Sequence, residues 1–178
     1  MNRRWRRIVF WAVETLVLAA GVHYAAVLIY PRAMMSYVEG KILKRSGKNS
    51  LYHGSPPTPK DRIVVAPSPD LIYSSGVFDV SEAPLRITAP QTGSYMSLSL
   101  YAANSDNFFA LNDHQIEGEG FDIVLAGPSA PDPGIKGARL VRAPSLTGII
   151  LIRYFAGEGT RGEEIASRQQ QITCTPLR

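Results

Sequence analysis

Cysteine is nearly absent from this 178-residue chain: the single Cys174 excludes an internal disulfide framework and any zinc-ribbon or iron–sulfur site built from several thiolates. Histidine is scarce as well, with three residues, and no G-x-S-x-G elbow is present. A serine-type triad would have to be built around His114, the last histidine in the chain. Charged residues make up 19% of the chain against 45% hydrophobic ones, which excludes a disordered tail protein. No internal repeat of 20 to 50 residues is visible, and this excludes a solenoid or propeller. What the chain has in quantity is punctuation. Its 15 Gly and 13 Pro suit short strands and turns better than a helical bundle, and its length predicts one globular domain with some extra chain.

The net charge of +4 has its meaning in where it sits. Arg3, Arg4, Arg6 and Arg7 supply the whole excess, because the fifteen basic residues after them balance fifteen acidic ones. Residues 31–60 hold Arg32, Lys41, Lys44, Arg45, Lys48 and Lys60 against Glu39 alone, whereas residues 61–178 carry nine basic and thirteen acidic side chains. The folded part therefore lacks the clustered basic surface that nucleic-acid binding requires.

The basic residues flank one apolar segment, Ile8 to Tyr30, interrupted only by Glu14 and His23. As a helix its 23 residues reach about 34 Å, enough for a hydrocarbon core of about 30 Å. Trp5, Trp11, Tyr24 and Tyr30 lie towards its ends, where amphipathic rings favour the membrane interface. Ala19, Ala20 and Gly21 roughly fit the small-residue rule for a cleaved signal peptide, but the apolar run continues past them, which favours a retained anchor. Four arginines in the seven-residue tail resist translocation, so the expected arrangement is a cytoplasmic N-terminus and a periplasmic domain on a bacterial inner membrane. Glu14 reads either as a carboxyl near the interface or as an acid facing a partner helix. Met34, Met35, Val38, Ile42 and Leu43 suit an amphipathic helical continuation, whose charges rest on lipid head groups or are simply solvated.

Ser46 to Asp61 is polar and rich in Gly, Ser and Pro, the composition of an extended linker. The boundaries expected are a basic tail over 1–7, a span over 8–30, a juxtamembrane segment and linker over 31–61, and a β-rich domain over 62–178. Strand patterns cover Ile63–Ala66, Leu71–Val80, Leu85–Ala89, Tyr95–Tyr101, Phe121–Ala126, Arg139–Ala143 and Leu146–Phe155. In Tyr95–Tyr101, Met96, Leu98 and Leu100 share one face and Tyr95, Ser97, Ser99 and Tyr101 the other. The run Ile149–Ile152 predicts a central strand covered on both faces. Glu163–Gln171 reads as a helix and Gln171–Thr175 as a closing strand. The fold class expected is mainly β: an antiparallel β-sandwich-like domain with one C-terminal helix, preceded by a transmembrane helix.

Several blocks carry a family resemblance. Val65-Ala66-Pro67-Ser68-Pro69-Asp70-Leu71-Ile72-Tyr73-Ser74-Ser75, Phe78-Asp79-Val80-Ser81, Pro84-Leu85-Arg86-Ile87 and Tyr95 to Tyr101 followed by Asp106-Asn107-Phe108 resemble the bacterial "domain of unknown function 1254" family. Ala126-Gly127-Pro128, Arg142-Ala143-Pro144-Ser145 and Ile152-Arg153 fit its later blocks, so the resemblance spans roughly Ile63 to Gln171. Ser68-Pro69 and Leu71 depart from the usual Pro-Asn-Asn-Asp-Thr-type start, which weakens any role resting on those amides. The resemblance implies a β-rich module that works with a companion, the "domain of unknown function 1214", supplied by a separate chain. It implies no established activity.

Motif by motif, the chemistry thins out. Gly157 to Gly162 is a literal G-x-G-x-x-G, but the following parallel strand and distant acidic residue are missing, so it reads as a turn. Asp113, His114, Glu117, Glu119 and Asp122 lack metal-ligand spacing and read as a solvated loop rather than a calcium site. Cys174 reads as an inert strand residue. No cofactor and no metal are expected. Arg153 directly follows the most apolar run, so its guanidinium needs a partner, for which Asp70 and Asp79 are the candidates. The ligand-binding candidates are Asp70, Tyr73, Tyr101, Asn107 and Arg153, within a hydroxyl-lined sheet face. They suggest an envelope binding or assembly module docking a companion domain or small polar ligand. The alternative is a hydrolase-like enzyme with Asp70 as base and Arg153 stabilising negative charge.

Overall fold

The computed structural model describes residues 2–55, 68, 70–91, 93–116, 118–155, 164 and 167–177. The chain forms two compact units, Met1–Met34 and Met35–Arg178. Helix α1 (Arg3–Ser46) supplies nearly all of the first. Every residue from 3 to 30 is exposed, among them Trp5, Ile8, Phe10, Trp11, Leu16, Leu18 and Val22. A helix closes its own backbone hydrogen bonds, which is what a hydrocarbon medium demands, and this one is long and apolar enough to be a membrane span or a signal sequence. Pro31 removes one backbone donor within α1, and the helix nevertheless continues to Ser46.

The second unit is a two-sheet sandwich. Its larger sheet holds, in spatial order, β1 (Leu51–His53), β2 (Leu71–Asp79), β8 (Thr147–Phe155), β4 (Met96–Ala102) and β5 (Asn107–Asn112), all antiparallel. The smaller sheet holds β7 (Arg139–Arg142), β6 (Gly120–Ala126), β3 (Leu85–Pro90) and β9 (Thr173–Pro176), antiparallel except for the parallel pair β6–β7. The period of two places Ile72, Ser74 and Phe78 of β2 inward with Met96, Leu98 and Leu100 of β4 and Ile150, Ile152 and Tyr154 of β8. Leu85, Ile87, Ile123 and Leu125 meet them from the smaller sheet. Most of these side chains have almost no exposed surface, and each buried one contributes about 1.5–3 kcal/mol.

β8 takes the central position in its sheet, as the Ile149–Ile152 run predicts. One end of its outer face is covered by the last turns of α1, where Met35 and Ile42 pack on Val77 and Ile149, with Val38, Leu43 and Tyr101 around them. The expected strands at Leu71, Leu85, Tyr95, Phe121, Arg139 and Leu146 form within one or two residues, and residues 164 and 167–169 are helical. The expected strand Ile63–Ala66 and the Gly157–Gly162 motif lie outside the described residues. Two elements differ from expectation. Residues 51–53, read as linker, form the edge strand β1 because Leu51 packs on the core and His53 bonds inward. Asn107–Asn112, for which the sequence pattern gives no strand, forms β5. A register shift at Leu100/Tyr101 lets both Phe108 and Phe109 pack on the core, which hides the alternation.

Gly148 marks where the sandwich is tightest. A Cβ there would lie 2.1 Å from the Tyr101 carbonyl oxygen and 2.6 Å from Phe78 Cζ, whereas at Gly127 the nearest heavy atom would be 3.4 Å away. Gly148→Ala is expected to cost about 3 kcal/mol or more. Gly127→Ala should cost less than about 1 kcal/mol. Urea unfolding of the detergent-solubilised chain, followed by far-ultraviolet circular dichroism, checks the contrast.

Candidate functional site

The outer face of the larger sheet collects the hydroxyl groups. Tyr73, Arg153 and Ser97 are successive cross-strand partners on β2, β8 and β4, and in the next row Ser75, Leu151 and Ser99 are partners in the same way. Directly opposed residues share a face, so these six side chains point to one side of the sheet. The Arg153 guanidinium donates through Nη2 to Ser99 Oγ at 3.0 Å. Its Nε is buried and, among the described residues, has no hydrogen-bond partner. Tyr95 donates through its hydroxyl to Ser97 Oγ at 3.1 Å, and the Tyr73 hydroxyl accepts from the Ser68 amide at 2.9 Å. Ser97 and Ser99 are buried, while Arg153, Tyr73 and Tyr101 are half-buried.

The carboxylates expected beside Arg153 are elsewhere. Asp70 is exposed at the entry to β2, and its amide donates to Ser68 Oγ at 3.4 Å. Asp79 stands at the far end of β2, nine residues on, and is fully engaged. Lys48 Nζ donates to Oδ2 at 2.7 Å, Ser81 donates to Oδ1 from its amide at 3.1 Å and its hydroxyl at 2.5 Å, and Asn49 bonds the Asp79 backbone on both sides. The Lys48 ammonium and these Ser81 donors hold the Asp79 carboxyl down to about 2. Asp79 therefore fastens the segment after α1 to the end of β2. A cleft of about 190 Å³ beside it, lined by Lys48, Asn49, Ser81, Glu82 and Pro176, is smaller than a typical small-molecule pocket. Among the described residues neither Asp70 nor Asp79 forms an ion pair with Arg153. The structure thus leaves the guanidinium bonded to a serine hydroxyl instead of neutralised by a carboxylate.

Tyr101 belongs to the opposite end of the same face, against the α1 residues that cover Val77 and Ile149. Asn107 is its cross-strand neighbour on β5 and is exposed. Tyr73 and Arg153 are therefore brought together, Tyr101 and Asn107 are brought together two rows away, and Asp70 joins neither group. Asp122, from the acidic group, is bound by Arg86 through Nε at 2.9 Å and Nη2 at 2.5 Å across β3 and β6. Among the described residues no three His, Cys, Asp or Glu side chains gather. Burial pushes the Cys174 thiol up to about 12, which makes it a poor nucleophile.

A second polar cluster, absent from the sequence-based candidates, lies on the inner face. Ser74 is completely buried, and its Oγ accepts from Gln169 Nε2 at 2.9 Å and lies 2.9 Å from His53 Nδ1. The hydroxyl has one proton and two lone pairs, so it can accept from the amide while either donating to Nδ1 or accepting from it, according to the imidazole tautomer. Burial lowers the pKa of His53, which favours the neutral ring. The Tyr154 hydroxyl is buried in the same core with no partner among the described residues, and burial raises its pKa. The available signal was Ser74 itself, a hydroxyl at an inward position between Ile72 and Phe78. His53 gave none, because its neighbours read as linker.

A family model described as "protein of unknown function (DUF1254)" matches residues 48–176, from the Lys48–Asp79 fastening to the end of β9. The chain belongs to that family. The DUF1254 match begins before β1, so this edge strand is part of the family's domain. No curated protein matches the chain. Among solved structures, the VPA0106 protein from Vibrio parahaemolyticus is similar over 61% of this chain and 28% of its own, with 17% identity and a TM-score of 0.56. An uncharacterised protein from Burkholderia cenocepacia is similar over 63% of this chain and 32% of its own, with 17% identity and a TM-score of 0.48. The chain thus spans less than a third of the length of either neighbour.

The His53–Ser74–Gln169 cluster makes stability depend on pH. The unfolded chain takes up a proton near the ordinary histidine value of 6.5, whereas folded His53 does so only at lower pH. The His53 contribution to stability is therefore fully present above about pH 6.5 and is lost as the pH falls below that value towards the lower folded-state pKa. His53→Asn, which keeps a polar side chain but cannot titrate, should flatten that slope. Denaturant unfolding at pH 7.5 and 5.5 for both chains checks it.

Proposed function

We propose that this DUF1254 member is a membrane-tethered binding module of the cell envelope, with its N-terminus in the cytoplasm and its sandwich domain in the periplasm. The Tyr73–Arg153–Ser97 row is its docking site. The observation that carries this reading is Arg153: a half-buried guanidinium, bonded to one serine hydroxyl, with a buried Nε left without a partner among the described residues. A buried donor left unmade costs about 1–3 kcal/mol, and a partner's carboxylate or other acidic oxygen on the half-exposed guanidinium would offset it with a charge-assisted bond. The occupant is an acidic group on a companion domain, taken here to be a separate chain carrying the domain of unknown function 1214, or on a small polar ligand. Support for a companion comes from the solved neighbour with a TM-score of 0.56, in which the similar fold makes up 28% of a much longer chain. The hydrolase alternative would need a base at Arg153, and Asp70 is not bonded to it.

The tether rests on the exposed apolar helix and the four arginines before it. Crosslinking in intact membranes, with the companion chain co-expressed, tests the docking site. Arg153→Ala should lower the crosslinked fraction about tenfold, equivalent to one charge-assisted hydrogen bond. Arg153→Lys should recover part of it, since an ammonium keeps the charge but lacks the planar fork. Unchanged capture by a folded Arg153→Ala chain would overturn the assignment.

A further inference from the structure

The last turns of α1 separate charge from apolar surface. Met35 and Ile42 are buried against Val77 and Ile149, and Val38, Glu39, Leu43 and Ser46 lie on the same side of the helix, half-buried. The opposite side carries Tyr37, Lys41, Lys44 and Arg45, all exposed. At 100° per residue the helical members of this group fall within an arc of about 100°. Glu39 is the only acid between residues 31 and 60, and it faces the covered side, where burial raises its pKa and its Oε1 has no partner. The exposed side therefore has no acid of its own. Lys48 is neutralised by Asp79, but among the described residues Lys41, Lys44 and Arg45 have no carboxylate within ion-pair distance. Lys41 Nζ lies 4.4 Å above the Tyr37 ring, and the Arg45 guanidinium lies 4.9 Å from the Tyr52 ring centre.

We propose that this basic face binds the phosphate head groups of anionic phospholipids, and that Lys41, Lys44 and Arg45 are its contacts. The inference rests on the reading of the preceding apolar helix as a membrane span. The argument is charge complementarity in the segment that follows the apolar run. Three cations without acidic neighbours, carried by a helix whose other side is already occupied, lie within eighteen residues of the apolar segment that ends at Tyr30. An anionic leaflet attracts each such charge by roughly fivefold in binding, and the attraction is screened by salt. The rest of the sandwich domain, with thirteen acidic against nine basic residues from position 61 onward, is repelled by the same surface, so the basic face also determines which side of the domain is presented to the membrane.

The test uses the full chain in nanodiscs of phosphatidylcholine alone or with 30% phosphatidylglycerol. Tyr37→Trp serves as an energy donor to a dansyl-labelled phosphatidylethanolamine, against a parent in which Trp5 and Trp11 are replaced by Phe. Transfer from position 37 should rise when phosphatidylglycerol is present, return towards the phosphatidylcholine value in 0.5 M salt, and be at least halved by combined Lys41→Gln, Lys44→Gln and Arg45→Gln. Equal transfer in both lipids, or an unchanged signal in the triple variant, overturns the proposal. A chain that does not enter nanodiscs at all would instead overturn the membrane-span reading. Circular dichroism of the triple variant confirms that the sandwich is retained, because none of the three side chains lies on the covered side of the helix.

Discussion

The contact of Met35 and Ile42 with Val77 and Ile149 is the constraint around which the domain is arranged. A five-stranded sheet whose central strand reads Ile-Ile-Leu-Ile presents apolar side chains on both faces. The inner face is covered by the smaller sheet. The outer face needs a second cover at one end, and the helix that follows the apolar segment supplies it. Once the helix occupies that end, the Lys48–Asp79 and Asn49–Asp79 bonds follow, and the chain enters β1 beside β2 in a fixed register.

The remainder of the same face is where the polar residues collect. Tyr73, Ser97, Ser99 and Arg153 alternate with core residues along three adjacent strands, so their grouping is a consequence of register. Sequence alone gives the alternation in Tyr95–Tyr101 and the position of Arg153 at the end of an apolar run. It does not give the pairing of β2 with β8 across seventy-odd residues, and that pairing is what decides that Tyr73 meets Arg153 while Asp79 is carried to the opposite end. Residue type alone therefore does not reveal that, among the described residues, neither Asp70 nor Asp79 pairs with Arg153.

The strands themselves were legible because proline and glycine bound them and the period of two runs through them. The exceptions have definite causes. β1 has three residues, too few to show a period, and sits in a polar setting. β5 contains a register shift that turns two adjacent phenylalanines towards the core. The Ser74 network was illegible for a different reason: its three members come from positions 53, 74 and 169, and only the folded sheet brings them together.

The place of β9 has a consequence for how the domain is made. Among the described residues its strand partner is β3, and the two threonines that touch across that pair, Thr88 and Thr173, are 85 residues apart. The larger sheet can be assembled as soon as Phe155 has left the ribosome, whereas the smaller one keeps an open edge until the segment around Thr173 arrives. Until then the backbone groups of β3 are available to any other extended chain. The interval before that edge is closed is the stage at which this domain is most exposed to mispairing.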